Sequence, residues 1–479
     1  MTSPTDTGTR ATRGDAATRI GSETGHSPHF HRVLGLTDAT ALVAGSMIGS
    51  GIFIVSAQMT RELGSAGWLL AVWLLAGAMT VVAAALYGEL VVRFPHAGGQ
   101  YVYLREAFGP LVGFLYGWTL FLVIQTGTIA AVAVAFARFT AVLVPGMDGT
   151  DLVPGLSAER ALAIALVGVL TAANCRGVEV GRSIQNVFTF AKIAALLALI
   201  ALCLLVGFSA DVVAHNAAAL WARQPAAPLS LAAAIGSAMV GALFSADAWN
   251  NVTFAAEEVR DPERTVRRAL VVGTTLVVLI YLAANLGYLA VLPAVGSPSA
   301  ADPLGRGIAH ATRDRVATAA MEVLLGPAGV LAMAAAIMVS TFGCVNGLIL
   351  SGARVSYAMA RDGLFFAAAG RLSRTGAPAI ALTLQGVWAA ALTLSGTYGD
   401  LLDYVIFAAL LFYALTVAAA LRYAPARSTR ALGLAYIVTA AAVMIDLLIV
   451  KPRFTWPGLL IVASGVPVYA WWSRRRARA

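Results

Sequence analysis

Charge is what this 479-residue chain has least of: only 12% of its residues are Asp, Glu, Lys or Arg, against about 25% in soluble domains. The deficit runs the whole length, which excludes a soluble globular protein and implies an all-α integral membrane protein of many spans. Histidine is missing from the apolar runs. Three of the six lie in "HSPHFH" near the N-terminus and none falls inside a span. With no HExxH motif and no nucleophile–base pair, nothing argues for a membrane enzyme. Cysteine is limited to Cys175, Cys203 and Cys344, which lack metal-ligand spacing and read as unpaired small apolar residues. No metal or other cofactor is expected. Neither a filter-like loop nor rings of charge speak for a channel. Lysine is scarcer still: of 33 basic residues only Lys192 and Lys451 are Lys.

What the chain has instead is long apolar runs. Twelve candidate spans cover residues 36–63, 68–93, 110–143, 160–174, 187–208, 229–257, 266–291, 326–354, 379–395, 401–422, 432–449 and 456–472, on the scale of the ~20 helical residues that cross a bilayer. With the N-terminus cytoplasmic, 23 of the 33 basic residues fall on the cytoplasmic side and 9 outside. That bias puts both ends in the cytoplasm of a cell inner membrane. The basic balance therefore reports topology, and no nucleic-acid partner is expected. Residues 1–31, rich in Thr, Ser, Gly and Arg without an apolar core, read as a disordered cytoplasmic tail ahead of a single membrane domain, 32–479. The stretch between spans seven and eight is expected to hold short surface helices.

Two spans are interrupted at mid-membrane. The first carries "GSMIGSGIF" at 45–53 and the sixth carries "SADAWNN" at 245–251. Five spans apart, the two run in opposite directions, which points to an inverted-repeat transporter with its site at the midplane. Unwound backbone supplies unpaired N–H and C=O groups to replace a substrate's water. The N-terminal end of a half-helix suits a carboxylate and the carbonyl end an ammonium. Gly49, Ser50 and Gly51 permit unusual dihedrals and close approach. For the first span alone, a small-residue packing face is an equal alternative; the second interruption favours breaks.

Five ordered stretches, "GSMIGSGIF", "FPHAGGQYVYLREAFGP" (94–110), "AWNNVTFAAEEVRDPERT" (248–265), "IYLAANLGYLAVL" (280–292) and "STFGCVNGLILSGAR" (340–354), resemble the L-type amino acid transporter branch of the amino acid–polyamine–organocation superfamily, in its bacterial form. The resemblance implies two five-helix inverted repeats, 36–208 and 229–422, plus two further helices over 432–472, with helices one and six discontinuous. It implies alternating access and exchange of L-amino acids. It places the substrate carboxylate at Ser46, Met47, Gly49, Ser50 and Gly51, and the amino group at carbonyls near Ile52 and the sixth break (Asp247, Ala248, Trp249, Asn250). Phe244 matches an aromatic external gate, and Lys192, partnered by Ser340, matches a Lys standing in for a bound sodium ion. Eukaryotic members bond a glycoprotein through a Cys between spans three and four. The loop "VPGMDGTDLVPGLSAER" has none, so no disulfide-linked heavy subunit is expected.

Several of these residues have plainer readings. Lys192 can snorkel to the interface, since its span begins nearby, and a buried Lys leaves proton coupling open. Asp247 can meet an ammonium, or Asp247 or Asn250 can cap the half-helix starting near Asn251. Trp249 can wall the chamber or simply pack. Asn346 can serve coupling, substrate contact or an interhelical hydrogen bond. Glu257 and Glu258 read as a helix end, and Asp261–Pro262 as an N-cap and first-turn Pro. Glu89 is expected to pair with a loop Arg. The competing functions are a proton-coupled amino acid symporter and a carrier of cationic amino acids or polyamines, for which Asp247 is the one acidic pocket residue. A receptor built on the same site is a further possibility.

Overall fold

The computed structural model describes residues 32–147, 150–222, 229–394, 398–423 and 426–476; the expected tail, 1–31, lies outside them. Among the described residues nine helices are long and apolar enough to cross a membrane, and Leu231–Ser245 and Ala379–Leu392 are shorter apolar ones. Pro452–Arg476 occupies the place of the twelfth span. The only sheet among the described residues is a hairpin of Asp151–Val153 with Leu156–Ser157. Each expected span coincides with a helix or a broken pair of helices, and their apolar sides form one buried cluster running through the bundle.

Three spans depart most from expectation, each for a physical reason. The fifth span starts at Val178, nine residues before position 187, because the polar stretch "VEVGRSIQN" is helical with Gln185 turned inward. Gln185 Nε2 meets the Ala41 carbonyl at 3.5 Å, while Arg182 reaches the Val33 carbonyl at 3.1 Å. The eighth span continues to Arg361 after a kink at Gly326. Arg354 does not end it, because that guanidinium is buried against a carboxylate. The sixth span is not two comparable halves: after Leu231–Ser245 its helical continuation is the single turn Asn251–Phe254, followed by a tighter turn at Ala256–Glu258.

For orientation, the side where Leu34 pairs with Val259 is called the near face, and the side where Arg61 bonds Asp314 at 2.6 Å the far face. On the near face the short helix Gln100–Phe108 tucks under the bundle with Gln100 to Leu104 buried. Glu89 pairs at 2.7 Å with Arg267, which lies in the seventh helix, Pro262–Val291, and not in a loop. Pro262 does occupy that helix's first position. Asp261 precedes it in a left-handed conformation (φ 49°) without a side-chain cap.

Candidate functional site

The first span stops and restarts. Leu36–Met47 ends at Ile48, whose ψ of 89° leaves the helical region, and the chain resumes as Gly51–Leu63. A helix ending inside a membrane leaves its last carbonyls without intrahelical partners, and side chains from spans five, seven and eight meet them. Lys192 Nζ donates to the carbonyls of Gly45 (2.5 Å) and Ile48 (2.8 Å), with that of Ser340 at 3.4 Å. Cys344 Sγ donates to the Ser46 carbonyl at 3.1 Å. Tyr281 Oη lies 3.0 Å from the Met47 carbonyl. Ser340 Oγ lies 3.1 Å from the Gly49 carbonyl and 3.3 Å from that of Ile48.

The expectation of unusual dihedrals at Gly49 and Gly51 fails, since neither has positive φ; closeness is what these positions require. A Cβ on Gly49 would sit 2.9 Å from Cys344 Sγ. One on Gly51 would collide with Ser245, including its backbone Cα at 2.9 Å. The stretch is therefore broken and also tightly packed, and the two explanations for its glycines hold at once.

The sixth span breaks beside the first. Ser245 ends its long half, and the Ser245 carbonyl lies 3.0 Å from Tyr281 Oη. One hydroxyl thus stands between the C-terminal carbonyls of both interrupted helices, with a single proton to share. In the turn that follows, Ala248 adopts φ 65°, a conformation that costs a non-glycine residue about 1–2 kcal/mol.

Asp247 and Asn250 do not cap the turn at Asn251, which has no side-chain cap although Asn250 holds the capping position. Both face a polar network instead. Tyr413 Oη donates to Asp247 Oδ1 at 2.5 Å. Asn250 Nδ2 donates to Gln100 Oε1 at 2.8 Å, and Gln100 Nε2 to Thr416 Oγ1 at 3.0 Å. This ties the sixth break to span ten and to the near-face helix. Trp249 packs edge-on against Tyr87, with ring centres 4.6 Å apart, and lies 5.5 Å from the Tyr413 ring. Phe244 is buried one residue before the break.

The structure thus gathers Ser46, Met47, Gly49, Ser50, Gly51 and Ile52 with Lys192 and Ser340 at the first break, and Phe244 with Asp247, Ala248, Trp249 and Asn250 at the sixth. Asn346 stands apart. It accepts from Asn174 Nδ2 at 2.9 Å and donates to the Gly181 carbonyl at 3.0 Å and to Gln185 Oε1 at 3.3 Å, an interhelical tie among spans four, five and eight. The snorkelling reading of Lys192 also falls. Its span begins fourteen residues earlier, at Val178, and the side chain is 1% exposed.

Sequence reasoning missed Tyr281, Tyr413, Cys344 and Gln100. A tyrosine within an apolar run is the signal that was available, because a buried phenol usually finds a hydrogen-bond partner. It also treated Glu258 as a helix end. Glu258 and Arg354 are each 1% exposed and form a two-point ion pair at 2.7 and 3.1 Å between the sixth break and the near face. Further out, Arg105 bonds Asp362, which also accepts from Tyr101 Oη at 2.6 Å. Burial, then Asp362, raises the Tyr101 phenol well above its ordinary range, so it remains a donor.

A family model described as amino acid permease matches residues 34–468. The Asc-type amino acid transporter 1 of Mus musculus is 30% identical over 454 residues, covering 91% of this chain and 80% of its own length. Large neutral amino acids transporter small subunit 2 of Homo sapiens is 30% identical, covering 95% and 83%. The b(0,+)-type amino acid transporter 1 of Homo sapiens is 29% identical, covering 86% and 80%. A match of that extent, on a chain whose first and sixth helices break side by side, means that this protein belongs to the amino acid permease family, in its L-type branch.

Proposed function

We propose that the protein is a secondary-active transporter that exchanges neutral L-amino acids by alternating access. The observation that carries this reading is the meeting of the two helix breaks at Tyr281 Oη, 3.0 Å from both the Met47 and Ser245 carbonyls. Such a meeting juxtaposes the N–H end of Gly51–Leu63 with the turn after Ser245, at the depth where a zwitterion has lost its water. In this reading the substrate carboxylate takes the N–H groups around Gly49, Ser50 and Gly51, and the amino group lies toward Ile52 and the sixth break. Phe244 closes over it from the far face. Lys192 and Ser340 hold the first break where other carriers hold a cation. All three relatives are named amino acid transporters, and one of them is named for large neutral amino acids, which supports this substrate class.

The positive-inside bias assigns the near face to the cytoplasm of the cell membrane, with both termini there. Repeats over 36–208 and 229–422, followed by the extra helices, give the two breaks their opposed directions. Without a Cys in the span three–four loop, no disulfide-linked subunit is expected. The wholly buried Lys192 favours one second reading, a proton-coupled symporter. A carrier of cationic amino acids or polyamines has only Asp247 to offer, and Tyr413 already engages it.

The test uses purified protein in liposomes preloaded with, or lacking, amino acids, with labelled alanine, leucine, arginine and putrescine offered outside. Exchange predicts alanine or leucine uptake only into preloaded vesicles. Uptake into empty vesicles under an inward proton gradient would instead establish symport. Binding without flux of any label would overturn the carrier reading.

A further inference from the structure

The near face holds a cavity of about 350 Å³ that is separate from the breaks. Its wall combines the connection after span two (His96, Arg105), the residue after the sixth break (Glu257) and the end of span eight (Tyr357, Arg361, Asp362). The volume lies in the range of small-molecule sites, about 300–1,000 Å³. That is room for one amino acid and several waters at ~30 Å³ each.

The charges in the wall select among ligands. Arg105 and Asp362 bond each other and so largely cancel. His96 Nδ1 and Glu257 Oε1 are 3.9 Å apart, too far for a hydrogen bond. Arg361, which meets the neutral Tyr357 hydroxyl, therefore supplies one uncancelled positive charge, and Glu257, 3.9 Å from His96, supplies one negative charge. A polyanion would meet Glu257 and a diamine would meet Arg361, each at a cost. A zwitterion satisfies both. Ala97, Val102 and Ala358 add an apolar strip to the same wall, suited to a short aliphatic side chain.

Glu257 adjoins Glu258, and Arg361 lies two helical turns beyond Arg354 on the same side of span eight. The buried Glu258–Arg354 pair thus adjoins this cavity through both of its partners, where it can act as a partition from the broken helices. We propose that the cavity is a second amino acid site, a waiting position on the near face where a neutral amino acid is held by Arg361 and Glu257 until the partition opens. This rests on the transport reading above and extends it: exchange is faster when the returning substrate is already at the door.

The experiment compares wild type with Arg361→Ala, Arg361→Lys and Glu257→Gln in proteoliposomes, measuring KM for L-alanine on each face with the opposite face saturated. Equilibrium binding of labelled L-leucine to the purified protein gives the stoichiometry. The expected result is a near-face KM raised at least fivefold by Arg361→Ala and by Glu257→Gln, with far-face KM and kcat within twofold of wild type. Arg361→Lys should recover part of the loss, and two leucines bound per wild-type chain should fall to one in Arg361→Ala. One leucine per wild-type chain, an unchanged near-face KM, or an equal rise on both faces would each overturn the waiting site while leaving exchange intact. Absence of exchange by the wild type would overturn the transport reading itself, and the waiting site with it.

Discussion

Lys192 Nζ lies 2.8 Å from the carbonyl oxygen of Ile48, the residue at which the first span ceases to be helical. An ammonium with three donors answers a helix end with several unpaired carbonyls, and a planar guanidinium does not have that geometry. Replacing Lys192 by Met keeps the stem and removes the donors. Leaving buried acceptors unpaired costs about 1–3 kcal/mol each, so the Met variant should melt at lower temperature and lose at least tenfold in exchange rate. Lys192→Arg should not restore it. Flux measurements beside a thermal melt check both, and wild-type exchange by Lys192→Met would remove the ammonium from the mechanism.

Tyr281→Phe deletes one hydroxyl from between Met47 and Ser245 and changes no packing volume to speak of. A net hydrogen bond is worth about 0.5–1.5 kcal/mol, so the variant should remain folded. Because that bond joins the two breaks, exchange should fall roughly tenfold, the equivalent of ~1.4 kcal/mol. Unaltered kinetics would show that the two breaks do not move through this contact.

Gly51→Leu forces a side chain into Ser245, backbone included, and Ser50→Val removes a hydroxyl from the break. Both variants should insert in the membrane and elute as monodisperse protein, yet fail to take up substrate. Normal uptake by both would show that neither the substrate contact nor the close packing of this stretch is required for transport.

The Glu258–Arg354 pair should show strong non-additivity. Removing one partner strands a buried charge, a loss of about 3–5 kcal/mol, whereas replacing both with apolar residues is often tolerated. Melting temperatures of Glu258→Met, Arg354→Met and the double variant check this. The double should be more stable than either single, and it should exchange poorly if the pair must open and reclose.

Ala248 at φ 65° offers a test by relief of strain. Ala248→Gly removes the left-handed penalty of about 1–2 kcal/mol but frees the unfolded chain by roughly 0.4–1 kcal/mol. Its melting temperature should therefore be equal to or slightly above wild type. Ala248→Val, with a branched Cβ in the same conformation, should be destabilised by more than 1 kcal/mol. A Val variant as stable as wild type would mean that the turn relaxes freely.

Much of the molecule was legible in its residues. Apolar runs located the nine helices of membrane length and the two shorter apolar ones among the described residues, and "GSMIGSGIF" located the first break at the residues where Ile48, Gly49 and Ser50 leave the helix. Hydropathy failed where a helix is polar for a reason in the third dimension. Hydropathy leaves residues 178–186 and 355–361 outside the spans, because inward Gln185 and the Glu258 partner of Arg354 are invisible to a one-dimensional average. The capping reading of Asp247 failed in the same way: its partner, Tyr413, lies 166 positions on.

The sequence alone determined that the chain spans a membrane many times and that two of its helices break, since water excluded from a bilayer leaves few other uses for such composition. Only the tertiary structure decided which groups answer the broken ends. Lys192, Ser340, Cys344 and Tyr281 come from three different spans to one set of carbonyls, and nothing in the local spacing announces that meeting. Local sequence governs where a backbone stops hydrogen-bonding to itself. The packing of distant helices governs what it bonds to instead.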